Sequence, residues 1–173
     1  MKKYIKGIVD LTKDAFDRFD QEFIHPGIKL KVVMEPGFEH LVPRKEHASD
    51  AGFDLRAAIN EPVIISPGAC KLISVGFKCS LPEGYELQIR PRSGLAYKNY
   101  ISVLNTPGTI DSNYRGIVGV LLYNFGQYDY KVHPYDRIAQ GVVSRLPYVV
   151  VEQVDNLDAT DRGSGGFGST GVK

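Results

Sequence analysis

From Pro26 onward, glycine and proline recur at short intervals, and this punctuation restricts most of the chain to short segments joined by turns. The 173 residues include 18 glycines and 10 prolines, and the segments between them are rich in Val, Ile, Leu and Tyr. Apolar segments of this length between turn residues are typical of antiparallel strands. The pattern predicts an all-β fold, as a sandwich, barrel or jelly roll.

Nine segments have the composition expected of strands. Pro-Gly pairs supply turns between several of them, including Pro36-Gly37, Pro67-Gly68 and Pro107-Gly108. A chain of this length is the size of a single domain. The predicted strands are Ile28–Met34, Phe53–Ala57, Val63–Ile65, Cys70–Ser80, Tyr85–Pro91, Ile101–Leu104, Gly116–Asn124, Tyr130–Val132 and Ile138–Leu146.

The charge balance excludes several classes of partner. Lys plus Arg number 21 and Asp plus Glu number 20, so the formal net charge is +1. No global field would hold the protein on nucleic acid or on an anionic membrane, and we expect neither partner. No apolar run has the length of a membrane span or of a signal peptide core. Cys70 and Cys79 do not have zinc-site or redox spacing, so we expect inert core thiols in a cytoplasmic protein.

The first 27 residues form an N-terminal extension with a different pattern. Phe16, Phe19 and Phe23 recur at spacings of three and four, and Thr12 can cap the N-terminus of a helix. These features predict one amphipathic helix over Thr12–Ile24. We expect its phenylalanine stripe to pack against the core or a neighbouring subunit rather than to bind a ligand.

Residues 28–154 then form the predicted β core, and residues 155–173 form a C-terminal arm that we expect to be mobile. Five of the 18 glycines lie between Gly163 and Gly171. Gly163, Gly165 and Gly168 formally match a dinucleotide-binding fingerprint, but the chain ends five residues after Gly168, so no helix or βαβ unit follows. The arm is either a disordered linker or a segment that wraps a polyphosphate, using Arg162, Phe167 and the hydroxyls of Ser169 and Thr170.

A second candidate region is Gly108–Gly116, which reads as a strand end and a tight turn. Asp111 is either a turn-forming residue or a carboxylate that orients water. Asn105 and Tyr114 lie close to it in sequence and could supply an amide for a base edge and a ring for a sugar or base.

A third region is Pro91–Ala96, where a strand gives way to a predicted turn. The Gly-x-Ser-x-Gly elbow of serine hydrolases is absent, so Ser93 is not expected to be a nucleophile. Arg92, Ser93 and Gly94 suit phosphate binding, although Arg92 could also be a solvated charge at a strand end.

Four further polar residues complete the candidate set. Asp54 could help to hold Mg²⁺, and Gln140 could donate a hydrogen bond to phosphate. Asp136 and Arg137 are expected to pair with each other. Two nearby aspartates are too few for a metal cage built by the protein alone.

In this order and spacing, the chain resembles the trimeric dUTPases. The resemblance covers about residues 28–173, and it departs from the usual pattern at Gly141, where the family has an apolar residue. It implies a jelly-roll-like β-barrel and a homotrimer with three active sites at subunit interfaces. The five matching motifs are Ala51–Ala57, Pro91–Leu95, Asn105–Gly116, Arg137–Gln140 and Arg162–Gly171.

The resemblance implies hydrolysis of dUTP to dUMP and pyrophosphate with Mg²⁺, which limits uracil in DNA and supplies dUMP. Asp111 matches the carboxylate that activates the attacking water, and Asp54 matches the one that holds the metal through water. Three groups of residues are expected to bind dUTP: Asn105, Thr109, Ile110 and Tyr114 at the deoxyuridine; Arg92, Ser93, Gly94 and Gln140 at the phosphates; and Arg162, Phe167, Gly168, Ser169 and Thr170 in the arm, closing on a neighbouring subunit's site.

Two alternatives stand beside this function. One is a dCTP deaminase of the same fold, which typically lacks the glycine-rich closing arm. The other is a regulatory relative that docks on another protein through the N-terminal extension, with or without catalysis. A purely structural jelly-roll protein would have no reason to carry Arg92, Asn105, Asp111 and Phe167 together.

Overall fold

The computed structural model describes residues 27–166. The predicted helix at Thr12–Ile24 and the arm residues Phe167, Gly168, Ser169 and Thr170 therefore lie outside the described residues. The strands are β1 Lys31–Met34, β2 Phe53–Arg56, β3 Val63–Ile65, β4 Cys70–Ser80, β5 Tyr85–Arg90, β6 Ile101–Val103, β7 Gly108–Asp111, β8 Ile117–Asn124, β9 Tyr130–Val132 and β10 Arg137–Arg145. One short helix, α1, spans Ser93–Asn99, and a 3₁₀ turn spans Glu39–Leu41.

The strands form two four-stranded sheets and one two-stranded ribbon. The first sheet has the order β1-β4-β8-β6, the second has the order β2-β10-β5-β7, and β3 pairs with β9. Every pair is antiparallel. This arrangement confirms the predicted all-β, jelly-roll-like fold. No helix within the described part of the chain has the length and apolar character needed to cross a membrane.

The core lies between the two large sheets. Alternate residues of β8 are buried, with Val118, Val120 and Leu122 fully inside, and β5 contributes Leu87 and Ile89 in the same way. Fully burying an aliphatic side chain contributes about 1.5 to 3 kcal/mol. The alternation that the sequence shows along these strands is therefore the main source of their register.

The prediction of a turn after Pro91 is wrong, because Ser93–Asn99 forms a helix. Two turns are too short to show a 3.6-residue apolar period, and Gly94 in the first turn favours a turn in sequence analysis. The helix ends where Tyr100 adopts a left-handed conformation with φ of 57°, and the Tyr100 N–H donates to the Ala96 carbonyl at 3.2 Å. Gly108, predicted as part of a turn, is the first residue of β7.

Gly141 leaves room for an aromatic ring. A Cβ at this position would lie 2.5 Å from Cε2 of Phe53, the residue that pairs with Gly141 across β2 and β10. The Phe53 ring therefore occupies the space of the missing side chain. The strand therefore packs at Gly141 without a side chain there.

Asn124 joins three parts of the fold through its buried side chain, which is 0% exposed. Its Nδ2 donates to the carbonyls of Ile65 in β3 and Tyr128 in the following loop, both at 2.8 Å. Its Oδ1 accepts the N–H of Gly126 at 2.8 Å. The amide satisfies three backbone groups that would otherwise lose their partners.

Replacing Asn124 should therefore destabilise the fold strongly. We expect Asn124→Ala to lower the free energy of unfolding by about 2 to 4 kcal/mol, because each buried group left without a partner costs about 1 to 3 kcal/mol. Denaturant unfolding at one fixed protein concentration measures the change. Asn60→Ala, at an exposed position, is the matched control and should stay within about 0.5 kcal/mol of the parent. Equal stability of both variants would contradict the structural role of Asn124.

Candidate active site

One cavity gathers the residues predicted to contact a base and sugar. Its volume is about 310 Å³, and Asn105, Thr109, Ile110, Asp111 and Tyr114 line it. Its apolar wall consists of residues that sequence reasoning missed, because they come from three distant strands: Leu72, Ile89 and Leu121. The cavity combines an amide, a carboxylate and an aromatic ring around an apolar space, as a nucleoside site requires.

The tight turn after β7 fixes Asp111 and Tyr114 in this cavity. The Tyr114 N–H donates to the Asp111 carbonyl at 3.1 Å. Arg115 closes the turn, because its Nη1 donates to the carbonyls of Ser112 and Tyr114, both at 2.7 Å. The Tyr114 hydroxyl donates to the Ile117 carbonyl at 3.1 Å, which holds the ring against the start of β8.

Two glycines allow the close packing of this hairpin. A Cβ at Gly116 would collide with the Tyr114 hydroxyl and with the ring carbon that carries it. A Cβ at Gly108 would lie 3.2 Å from Cβ of Ile89 and 3.4 Å from the Asn105 amide nitrogen. The Tyr114 ring can approach the backbone only because Gly116 lacks a side chain, and a side chain at Gly108 would crowd Ile89.

A second cluster holds the residues predicted to contact phosphate. The Arg92 Nε lies 3.0 Å from Asp54 Oδ1, and the Arg137 Nη1 lies 3.2 Å from Asp54 Oδ2. The Arg92 Nη1 also donates to the Arg137 carbonyl at 3.2 Å. The predicted pair between Arg137 and Asp136 is wrong: the Asp136 carboxylate accepts the His133 N–H at 2.8 Å instead.

Gln140, Ser93 and Gly94 lie around this cluster. The Gln140 Nε2 donates to the Pro91 carbonyl at 2.9 Å, which ties β10 to the segment that leads into α1. Ser93 and Gly94 are exposed at the start of α1, and no atom lies within 4 Å of a Cβ placed at Gly94. Asp54 and Gln140 also line a cavity of about 250 Å³.

Tyr130 on β9 lies within electrostatic range of the same cluster. Burial raises the pKa of its hydroxyl, and the Asp136 carboxylate raises it further, while the Arg92 charge acts in the opposite direction. The hydroxyl is therefore protonated at neutral pH and acts as a neutral neighbour of Arg92.

Within one chain, two clusters of predicted site residues are far apart: the residues that line the cavity around Asp111, and the cluster of Asp54, Arg92 and Arg137. Asp111 pairs with Glu86 near the start of β5, whereas Asp54 pairs with Gln140, which pairs with Arg90 at the end of β5. Four residues along β5 span about 14 Å, and the three strand spacings from β7 to β2 add about 14 Å in the perpendicular direction. Asp54 and Asp111 are therefore separated by roughly 20 Å within one chain.

The described part of the arm forms a turn of its own. The Arg162 Nε donates to the Gly165 carbonyl at 2.9 Å, and Gly163 has a left-handed φ of 49°. The Gly163 N–H donates to the Thr160 carbonyl at 3.0 Å. Arg162 is exposed, and its hydrogen bond lies within the arm.

The described residues do not form a metal cage of their own. Among residues 27–166, no group of three or more His, Cys, Asp or Glu side chains is placed to hold a metal ion. Both Asp54 oxygens already accept contacts from arginines, but each keeps a second lone pair. Mg²⁺ usually keeps several waters and binds substrate phosphates, so Asp54 fits a contact through metal-bound water rather than a direct ligand.

The comparisons with known proteins match most of the chain. The family model described as dUTPase matches residues 39–171. The deoxyuridine 5'-triphosphate nucleotidohydrolase of Caulobacter vibrioides (strain NA1000 / CB15N) is 52% identical over 133 residues, which are 76% of this chain and 86% of that protein.

Two phage dUTPase structures share the fold. The dUTPase of Staphylococcus bacteriophage 80alpha with dUPNHPP is 27% identical with a TM-score of 0.71, and the match covers 83% of this chain and 99% of that one. Phage dUTPases control transfer of virulence genes by a proto-oncogenic G protein-like mechanism. A variant dUTPase from phage phi11 of S. aureus, with a coordinated structural Mg(II) ion, is 23% identical with a TM-score of 0.68, covering 76% of this chain and 99% of that one.

The packing of Tyr114 over Gly116 leads to a testable prediction. We expect Gly116→Ala to weaken binding of a deoxynucleotide in this cavity by about tenfold or more, because the added methyl group forces the ring out of the cavity wall. Isothermal titration calorimetry measures the affinity.

Tyr114→Phe is the matched control for this variant. It keeps the ring and loses only the exposed hydroxyl bond to Ile117, so its affinity should stay within about threefold of the parent. An unchanged affinity of Gly116→Ala would show that the observed ring position is not needed for binding.

Proposed function

This chain belongs to the dUTPase family, and from that premise we propose how its residues act in the reaction. The protein is a dUTP diphosphatase, which hydrolyses dUTP to dUMP and pyrophosphate. The observation that carries the assignment to residues is the pair of clusters described above, one suited to a deoxynucleoside and one suited to phosphates. The deaminase alternative is not favoured, because the matching relatives are named as nucleotidohydrolases.

The complete site combines the two clusters from different copies of the chain in a homotrimer. Asp111 and Asp54 must act on the same triphosphate, yet they are roughly 20 Å apart in one chain. The segment after β10 supports association, because it leaves large apolar side chains in solvent: Tyr148 is 94% exposed and Val151 is 91% exposed. An apolar stretch of this kind is typical of a protein interface.

The cavity around Asn105 selects and orients the deoxyuridine. The Asn105 amide, with the backbone around it, reads the base edge, and the Tyr114 ring packs against deoxyribose where a 2′-hydroxyl would collide. Cytosine presents an amino group where uracil presents a carbonyl, so it leaves a buried polar group without a partner. Such a mismatch can reduce kcat/KM by about 10⁴-fold.

Asp111 activates the attacking water. Its carboxylate accepts a proton from water as the water oxygen bonds to the α-phosphorus. The bond between the α-phosphorus and the oxygen bridging to the β-phosphate breaks, and pyrophosphate leaves with the bonding electrons. General base catalysis by a positioned carboxylate contributes about 10²- to 10⁴-fold, and positioning of the reactants contributes the larger share.

The cluster around Arg92 holds the phosphate chain. Arg92, Ser93, Gly94 and Gln140 supply donors for phosphate oxygens, and Arg162 adds a second guanidinium from the arm of a neighbouring copy. Bound Mg²⁺ would neutralise phosphate charge and fix the geometry of the chain. Asp54 would hold this ion through a water molecule. Phe167 would cover the base while Gly168, Ser169 and Thr170 reach the phosphates, so closure of the arm would exclude bulk water.

A regulatory function beside catalysis is the second candidate. It is supported by the 27% identity to a phage dUTPase from a group that controls gene transfer. The family match begins at residue 39, so the N-terminal extension, residues 1–27, lies outside the catalytic core. We therefore assign the binding of a protein partner to this extension.

We also propose that the protein is cytoplasmic. Cys70 and Cys79 are both free thiols, as is usual in a reducing compartment.

The role of Asp111 gives a prediction for turnover. We expect Asp111→Asn to reduce kcat for dUTP by about 10²- to 10⁴-fold while the affinity for dUPNHPP stays within about threefold, because the amide keeps the shape of the carboxylate but cannot accept the proton. A pyrophosphate assay with each deoxynucleoside triphosphate measures both turnover and base preference.

Isothermal titration calorimetry measures the affinity for dUPNHPP. Two outcomes of these measurements would contradict the proposal. Equal losses of turnover and affinity in Asp111→Asn would make Asp111 a structural residue. Pyrophosphate release from dCTP or dTTP at the rate seen with dUTP would contradict the role of the cavity around Asn105.

A site shared between copies predicts complementation between two inactive variants. Asp111→Asn and Arg92→Ala should each be nearly inactive alone. After denaturation and joint refolding of an equal mixture, roughly a quarter of the sites should combine an intact Asp111 with an intact Arg92 from its neighbour. Activity close to a quarter of the parent supports the shared site.

The separately refolded variants, mixed only afterwards, serve as the control. If joint refolding restores no activity although the trimer forms, both residues must act within one chain.

A further inference from the structure

We propose that Arg137 is a positioning residue of the phosphate cluster, acting through Asp54 and Arg92 rather than by touching substrate. This inference rests on the proposed function. It assigns a task to a side chain that the sequence analysis paired with Asp136. Two contacts carry it: the Arg137 guanidinium holds one oxygen of Asp54, and the Arg137 carbonyl accepts a hydrogen bond from Arg92.

A β-bulge places Arg137 on the correct face of its sheet. Gln140 pairs with Asp54 and Ala139 pairs with Leu55, but Arg137 pairs with Arg56, so two residues of β10 oppose one residue of β2. With regular pairing, Arg137 would lie opposite Ala57 and face the core with it. The bulge turns Arg137 to the face that carries Asp54, and bulges next to active sites commonly redirect a side chain in this way.

Three residues form a closed set of contacts, two between side chains and one through the Arg137 backbone carbonyl. Arg137 holds Asp54 Oδ2 at 3.2 Å, and Arg92 holds Oδ1 at 3.0 Å, so the carboxylate is fixed from both sides. Arg92 is fixed in turn by the Arg137 carbonyl through its Nη1. Among the residues from 27 to 166, the Nη2 of Arg92 has no hydrogen-bond partner, and we assign this nitrogen to phosphate.

The cluster is more than a single surface ion pair. The Asp54 side chain is 25% exposed and the Arg92 side chain is 28% exposed, so solvent screening of this pair is reduced, whereas the Arg137 side chain is 46% exposed. An isolated exposed pair contributes little, whereas a network with fixed geometry can hold a catalytic group in place. Without the Arg137 side chain, Asp54 loses one of its two partners, so the carboxylate that holds the Arg92 Nε is fixed from one side only. The Arg137 carbonyl still accepts from Arg92, so the side chain acts on Arg92 through Asp54.

Binding of two nucleotides separates this role from a general structural one. We expect Arg137→Met to weaken dUPNHPP binding by about tenfold and dUMP binding by less than about threefold, because dUMP lacks the β- and γ-phosphates. Both affinities are measured by calorimetry with Mg²⁺ present. Arg56→Met is the matched control, because Arg56 pairs with Arg137 across the strands and, within the described part of the chain, donates only to the Tyr135 carbonyl, at 3.2 Å. It should leave both affinities unchanged.

A double-mutant cycle tests whether Arg137 acts through Asp54. If it does, Asp54→Asn combined with Arg137→Met should weaken dUPNHPP binding no more than about threefold beyond the more severe single variant. Losses that multiply would mean that Arg137 contacts phosphate independently, and this result would overturn the proposal.

Arg137→Lys keeps the charge and one donor, so it should restore dUPNHPP affinity to within about threefold of the parent. Failure of this rescue, or equal losses for dUPNHPP and dUMP in Arg137→Met, would also overturn the positioning role. The parent protein separates this failure from a failure of the proposed function: if it binds dUPNHPP no more tightly than dUMP, the phosphate cluster itself is wrongly assigned.

Discussion

The pairing of β5 with strands on both of its sides determines where the chemistry can occur. β7 joins one edge of β5 and brings Asp111 level with Glu86, while β10 joins the other edge and brings Gln140 level with Arg90. Strand spacing and rise are nearly fixed quantities, so this register sets the distance between the two clusters. No rotation of side chains can close a gap of roughly 20 Å. An active site that needs both clusters must therefore be assembled from more than one copy.

The strands could be predicted well from the sequence because apolar and polar residues alternate along them, as buried and exposed positions do. The bounds of β3, β4 and β9 agree with the predicted segments, and most of the others differ by a residue or two. The helix at Ser93–Asn99 was missed, since two turns carry too little periodicity to be distinguished from a turn. Gly108 was placed in a turn although its missing side chain is what lets β7 approach Ile89.

The candidate site was predictable in its residues but not in its contacts. Motif order, through the resemblance to the trimeric dUTPases, predicts Asp54, Arg92 and Asp111 as site residues. The pairing of Arg137 with Asp54 could not be predicted, since it depends on a single extra residue in β10 that changes which face the side chain occupies. The apolar wall of the cavity around Asn105, which consists of Leu72, Ile89 and Leu121, depends on sheet order, which local sequence does not contain.

The exposed apolar segment after β10 affects how the enzyme behaves at low concentration. Tyr148, Val149, Val150 and Val151 are largely in water in a single chain, and covering each would stabilise an assembly by about 1.5 to 3 kcal/mol. A monomer would then lack a complete active site and would expose an apolar segment that favours association with other chains. Specific activity should depend on enzyme concentration, and a cell that makes too few copies would lose catalysis per molecule as well as in total.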